Sequence, residues 1–167
     1  MREIISHLSA DAGDQLAVAL RSFTISDFCT EVIRWFTLPI LYRILLRSDI
    51  KGFSIRMPYR TLKRIVRGLI KNALDASEET DNVTLTCRKD DEFLYFEVHD
   101  KGQGMDNETL AKAIEPFFTT KDPGRGLGLG LFLTKSAAER FGGTLHLESS
   151  PGKGTTATIS FAHDQIS

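Results

Sequence analysis

The chain has 167 residues, 41% of them hydrophobic and 26% charged, with a formal net charge of −1. These values fit one globular domain of ordinary size with a short appendage and exclude a disordered or fibrous chain. So small a net charge supplies no overall field toward nucleic acid or an anionic membrane.

Residues 1–22 are expected to be a linker or the end of a preceding element. Ile4, Ile5 and Leu8 suggest a short amphipathic helix, and Asp11-Ala12-Gly13-Asp14 supplies the turn that ends it. Arg2, Glu3 and His7 interrupt any early apolar run, which argues against a signal peptide. A second helix is expected from about Ser26 or Asp27, either of which can cap it, with Phe28, Val32, Trp35 and Phe36 on one side. The apolar stretch from Trp35 to Leu46 contains Pro39 and Arg43 and is too short to span a bilayer, so it is expected in the core. A soluble, intracellular chain follows as the expectation. Phe53-Ser54-Ile55-Arg56-Met57 alternates and stops at Pro58, as a short strand does.

From Tyr59 the period changes. Leu62, Ile65, Val66, Leu69, Ile70, Ala73 and Leu74 recur at helical spacing. Residues 83–87 and 93–98 then flank Asp90-Asp91 as a hairpin. Asp106 can cap a short helix through Ile114 that Pro116 ends. Residues 129–141 predict a further helix with a Gly142-Gly143 stop, followed by strands at 144–149 and 154–161 around Ser150-Pro151-Gly152-Lys153. Helices mixed with adjacent antiparallel strands predict an α+β two-layer sandwich with helices on one face of the sheet.

Candidate chemistry sits on few residues. Cys29 and Cys87 lack CxxC spacing, and Cys87 is expected to be a small packed residue. His7, His99, His146 and His163 show no metal-ligand spacing on a common helix. The basic cluster Arg56, Arg60, Lys63, Arg64, Arg67 and Lys71 is expected to be a solvated helix face. Asn72 continues the stripe of Ile65 and Leu69, where an unpartnered carboxamide costs about 1–3 kcal/mol. It is either satisfied locally or kept for a ligand, and Asp75 lies one turn beyond. Asp100 ends an apolar strand, and Gly102 and Gly104 let the following backbone fold tightly. Phe117 and Phe118 precede Thr119, Thr120 and Lys121, and fit either a lid latch or a core anchor. Gly124, Gly126, Gly128 and Gly130 run into a helix N-terminus, which favours phosphate; Lys121 and Arg125 are within sequence reach of it. Neither the Rossmann nor the Walker A spacing is met.

Four motifs in this order resemble the Bergerat (GHKL) ATP-binding fold of gyrase, heat-shock chaperones, MutL and sensor histidine kinases. The N box resembles residues 68–76, the G1 box 100–104, the F box 116–118 and the G2 box 124–129, with 152–156 as the closing motif. The run Pro116 to Lys121 is most similar to histidine kinase catalytic domains. Residues 2–9 and 126–133 are similar to RegB/PrrB-type kinases. The resemblance implies a mixed, largely antiparallel sheet and a catalytic ATP-binding domain over residues 23–163, with 164–167 as a tail. It implies ATP and Mg²⁺ as cofactors, with Asn72 as the metal ligand and Asn72, Lys121 and Arg125 as catalytic residues. Asp75, Asp100, Gly102, Gly104, Phe118, Thr119, Gly124, Gly126, Leu127, Gly128, Leu129 and Thr155 would complete the nucleotide site. Asp100 would read adenine.

It also implies partners: a dimerisation and histidine-phosphotransfer domain of the same kinase, and a response regulator reached indirectly. Neither nucleic acid nor membrane contact is expected of this chain, and the parent protein would be membrane-anchored through other segments. Two departures from the family pattern matter. Hydrolysing members carry a general-base Glu one turn before the Asn, where this chain has Gly68, so negligible ATP hydrolysis is expected. His7 lacks the H-E/D-x-x-x-P pattern of an acceptor histidine, so phosphorylation in cis is not expected. A non-catalytic nucleotide-binding module and a MutL- or gyrase-like ATPase are the alternatives.

Overall fold

The computed structural model describes residues 20–120 and 126–166. The expectations for residues 1–19, His7 included, and for Lys121, Gly124 and Arg125 lie outside the described residues. Strand β1 (Arg21–Thr24) runs into helix α1 (Ile25–Arg34). The cap is Thr24, ahead of the expected Ser26 or Asp27. Its extended backbone is the end of a strand, its hydroxyl accepts from the Asp27 N–H at 3.1 Å and donates to the Asp27 carboxylate at 2.7 Å. The first contact is an N-cap that satisfies one free N–H of the first turn, and the second holds the hydroxyl in place.

Strand β2 (Ile44–Ser48) is followed by β3 (Ser54–Met57), helix α2 (Tyr59–Ala76), and the hairpin β4 (Val83–Lys89) and β5 (Phe93–His99). The hairpin turns on Asp90, whose carboxylate accepts from the N–H groups of Glu92 and Phe93. Helices α3 (Asn107–Lys112) and α4 (Gly130–Glu139) precede the closing strands β6 (Gly143–Ser150) and β7 (Gly154–Ala162). β1 and β3 pair antiparallel as a separate ribbon. The main sheet has the order β2-β4-β5-β7-β6, with β2 parallel to β4 and every other pairing antiparallel.

Alternation along the strands explains the two layers. Val83, Leu85 and Cys87 on β4 and Leu94, Phe96 and Val98 on β5 are buried, whereas Thr84, Thr86, Tyr95, Glu97 and His99 are only partly covered. The buried face meets the apolar stripe of α2, and Phe28 of α1 packs edge-on against Phe96 at 5.6 Å. Helices therefore lie against one face of a mixed, largely antiparallel sheet, an α+β two-layer sandwich.

The stretch from Trp35 to Leu46 departs from its expected place in the core. Phe36 and Ile44 are buried, but Trp35, Leu38, Ile40, Tyr42, Leu45 and Leu46 are exposed. The cause is topology. This segment contains the start of β2, an edge strand, and the connection leading into it, so one side has no neighbour among the described residues. Trp35, expected on the buried side of α1, instead closes its C-terminus with the Arg67 guanidinium over its ring at 4.9 Å. No helix of the described residues is long and apolar enough to cross a membrane.

Candidate functional site

A cavity of about 450 Å³ opens between the C-terminal half of α2, the ends of β5 and β7, and the N-terminus of α4. Its base is apolar, from Leu69, Ala73, Val98, Leu147 and Ala157. A volume of this size and lining suits a small organic ligand held by a few polar groups.

Asp100 stands at the strand end of this cavity and is 4% exposed. Its Oδ1 accepts from the Gly102 N–H at 2.9 Å and the Thr155 N–H at 3.2 Å, so Oδ2 remains for a donor in the cavity. Burial raises its pKa above the ordinary carboxylate value, against the pull of those two N–H donors and of nearby His99. A second tie, Asp100 N–H to the Thr155 carbonyl at 2.9 Å, fixes the strand end against β7. Gly104, at φ +68, turns the chain under β6: a Cβ there would lie 1.9 Å from the Ser150 carbonyl oxygen. Ser149 holds the same corner, accepting from the Met105 N–H at 2.8 Å.

At the opposite end, Asn72 is half-buried and lines the cavity beneath Gly130, the first residue of α4. A Cβ at Gly130 would be 3.4 Å from the Asn72 Oδ1, so the helix start sits directly against the carboxamide. Residue Leu129 caps α4 without any side-chain hydrogen bond. The first-turn N–H groups of α4 therefore have no capping acceptor on that residue and face a cavity, an arrangement that favours an anion.

The base of the connecting loop is built by two left-handed residues. Phe117 has φ +67, Gly128 has φ +67, and the Phe117 N–H donates to the Gly128 carbonyl at 2.9 Å. Phe117 is half-exposed while Phe118 lines the cavity, so the two aromatics part company.

Of the sequence-predicted residues, Asn72, Asp100, Gly104, Phe118, Thr119 and Thr155 line the cavity together. So do Gly126, Leu127, Gly128 and Leu129. Gly102 shapes the rim instead, donating to Asp100 while packing on the last residue of α2, Ala76. Asp75 does not line the cavity; its carboxylate meets Lys71 at 3.1 Å on the exposed side of α2. Sequence reasoning missed the apolar wall of Met105, Ala113, Leu147 and Ala157, and the Ser149 bracket. Only the pairing register, which sets Val98 beside Ala157 and Ala157 beside Leu147, could have found part of it. Among the described residues no group of three or more His, Cys, Asp or Glu could hold a metal ion. A cation here would need ligand phosphates and the Asn72 carboxamide, a donor set that suits Mg²⁺.

The chain resembles known proteins in sequence and in fold. Over 126 residues the chain is 37% identical to sporulation kinase A of Bacillus subtilis, covering 69% of this chain and 20% of that one. It is 35% identical over 112 residues to the sensor kinase CckA of Brucella abortus, covering 58% and 12%. The chain thus spans a fifth or less of the length of these two relatives. Its fold matches the catalytic domain of the histidine kinase ThkA with a TM-score of 0.76 at 22% identity, over 86% of this chain and 95% of that one. It also matches full-length ShkA, solved in complex with AMPPNP, with a TM-score of 0.78 at 21% identity, over 99% and 37%. Residues 58–165 match the family described as histidine kinase-, DNA gyrase B-, and HSP90-like ATPase, and the chain belongs to that family.

Proposed function

We propose that this chain is the ATP-binding catalytic domain of a two-component sensor histidine kinase. It transfers the γ-phosphoryl group of ATP to a histidine on a separate dimerisation domain, which then passes it to a response regulator. The observation that carries this is one cavity with a buried carboxylate, Asp100, at one end and, at the other, Asn72 under the N-terminus of α4, whose cap residue Leu129 makes no side-chain hydrogen bond.

The roles follow from that polarity. Asp100 Oδ2 accepts from the exocyclic amine of adenine, and the apolar wall covers the base. The N–H groups of residues 128–131 and the start of α4 receive phosphate oxygens. Asn72 would hold Mg²⁺ together with the phosphates, and such an ion would supply charge neutralisation for the group being transferred. Lys121 and Arg125 are assigned to the same triphosphate on their place in the loop between Phe118 and Gly126. Residues 23–163 form the catalytic unit, working in the cytoplasm of a membrane-anchored parent. The RegB/PrrB-type subclass rests on motif resemblance at residues 2–9 and 126–133 alone.

Titration with a non-hydrolysable ATP analogue, with and without Mg²⁺, tests the site. Asn72→Ala is expected to abolish the metal-dependent part of the affinity, and Asp100→Ala the preference for adenine over guanine. Phosphotransfer to an added acceptor-hairpin protein separates a kinase from a binding module; binding without transfer would defeat the catalytic assignment.

A further inference from the structure

The chain has two cysteines, Cys29 on α1 and Cys87 on β4, separated by 58 positions in sequence. Both are free thiols with no solvent exposure, and their sulfurs are 3.1 Å apart across the helix–sheet interface. Neither lines the nucleotide cavity. Cys87 pairs with Phe96 in the register, away from the strand end that carries Asp100. A lone buried cysteine is ordinarily a small apolar filler. Here two of them, on different elements, face each other at a separation that needs only about 1 Å of further approach to reach bonding distance.

We propose that Cys29 and Cys87 form an intramolecular disulfide when the protein meets a peroxide, a covalent staple joining α1 to the sheet. One sulfur, as thiolate, attacks a peroxide oxygen, breaking the O–O bond and giving a sulfenic acid. The second sulfur then displaces that hydroxyl, forming the S–S bond. With hydrogen peroxide, two thiols and one oxidant give one disulfide and two waters, the sulfur pair losing two electrons and the peroxide gaining them.

The surroundings set the rate. Contact with Cys29 and burial both push the Cys87 thiol up, so little thiolate forms there while the core is closed, and neither sulfur is then accessible to a peroxide. Reaction therefore waits on local opening of α1 from the sheet. Once closed, the bond ties off a loop containing β2, β3 and α2, which restricts the unfolded chain. The expected result is a thermal midpoint raised by several degrees, with nucleotide affinity unchanged because the staple lies outside the cavity.

The test treats the native 167-residue chain with hydrogen peroxide, then alkylates it in denaturant and measures intact and peptide masses. Expected are a loss of about 2 Da, no alkylation, a Cys29–Cys87 linked peptide, and a midpoint rise that dithiothreitol reverses. Two alkylated cysteines, a sulfinic acid on either residue, or links only between molecules would overturn the proposal. So would a Cys29–Cys87 link that leaves the midpoint unchanged or lowers it. Cys87→Ala, treated in parallel, must show no mass loss; should it fail to fold, the wild-type masses still decide.

Discussion

The Phe117 N–H donates to the Gly128 carbonyl at 2.9 Å, and both residues have φ +67. Two stems of one loop are thereby locked at its base, next to the cavity. Glycine is required on one side of this clasp, since a Cβ at Gly128 would lie 2.5 Å from the Phe117 carbonyl carbon and the same from the Phe118 oxygen.

Gly128→Ala is therefore expected to open the clasp. The left-handed backbone alone costs about 1–2 kcal/mol for a residue with a side chain, and the clash adds to it. Since Gly128 and Leu129 also line the cavity, the loss should appear mainly as weaker binding of an ATP analogue, by about tenfold or more. Equal affinity in calorimetric titration would show that the clasp does not position the nucleotide loop.

Asp100 gives a pH prediction. Burial raises its pKa, so the native carboxyl holds its proton to a higher pH than the unfolded one. Between the two values the native state binds more protons, and stability falls as pH rises through that window. Binding runs the other way, because only the carboxylate offers both oxygens as acceptors. Affinity for an adenine nucleotide should fall as pH drops through the raised pKa, starting above the range of an exposed aspartate. Asp100→Asn should bind weakly with no such limb; an identical acid limb in the variant would place the titration elsewhere.

How much of this was legible in the sequence depends on range. Helix α2 and both hairpins carry their signal within a dozen residues, in the period of Leu62 to Leu74 and the alternation of residues 83–98. Asn72 and Asp100 stood out because each is a polar residue at the end of an apolar pattern. β1 and β2 did not, being four and five residues long and defined by distant partners, Ser54–Met57 and Val83–Cys87. Trp35 was misplaced for the same reason: hydrophobicity states what can be buried, but topology decides whether a neighbour exists. The apolar wall of the cavity is likewise a product of register, which no local pattern encodes.

That contrast can be measured. Phe96 is fully buried against Phe28, and Phe96→Ala is expected to destabilise by about 3–5 kcal/mol. Trp35→Ser removes an exposed ring whose described partners are Phe36 and Arg67, and should cost about 1 kcal/mol or less. Urea unfolding monitored by circular dichroism compares the two; similar losses would mean that Trp35 is covered in solution.

Gly68 carries the last prediction, on the fate of the phosphoryl group. It lines the cavity one turn before Asn72, and lacks any side chain that could activate water. The structure adds a packing reason: a Cβ here would sit 3.3 Å from the Thr134 hydroxyl on α4, so the two helices approach closely because of the glycine. ATP hydrolysis by the chain is expected to be negligible, as the proposed transfer of phosphate to a protein side chain rather than to water requires. Gly68→Glu supplies the carboxylate but must also displace Thr134, so Gly68→Glu is best paired with Thr134→Ala. Any gain in phosphate release should be larger in the double variant than in Gly68→Glu alone. A parent chain that already hydrolyses ATP as fast as the hydrolysing members of the family would refute the role given to Gly68.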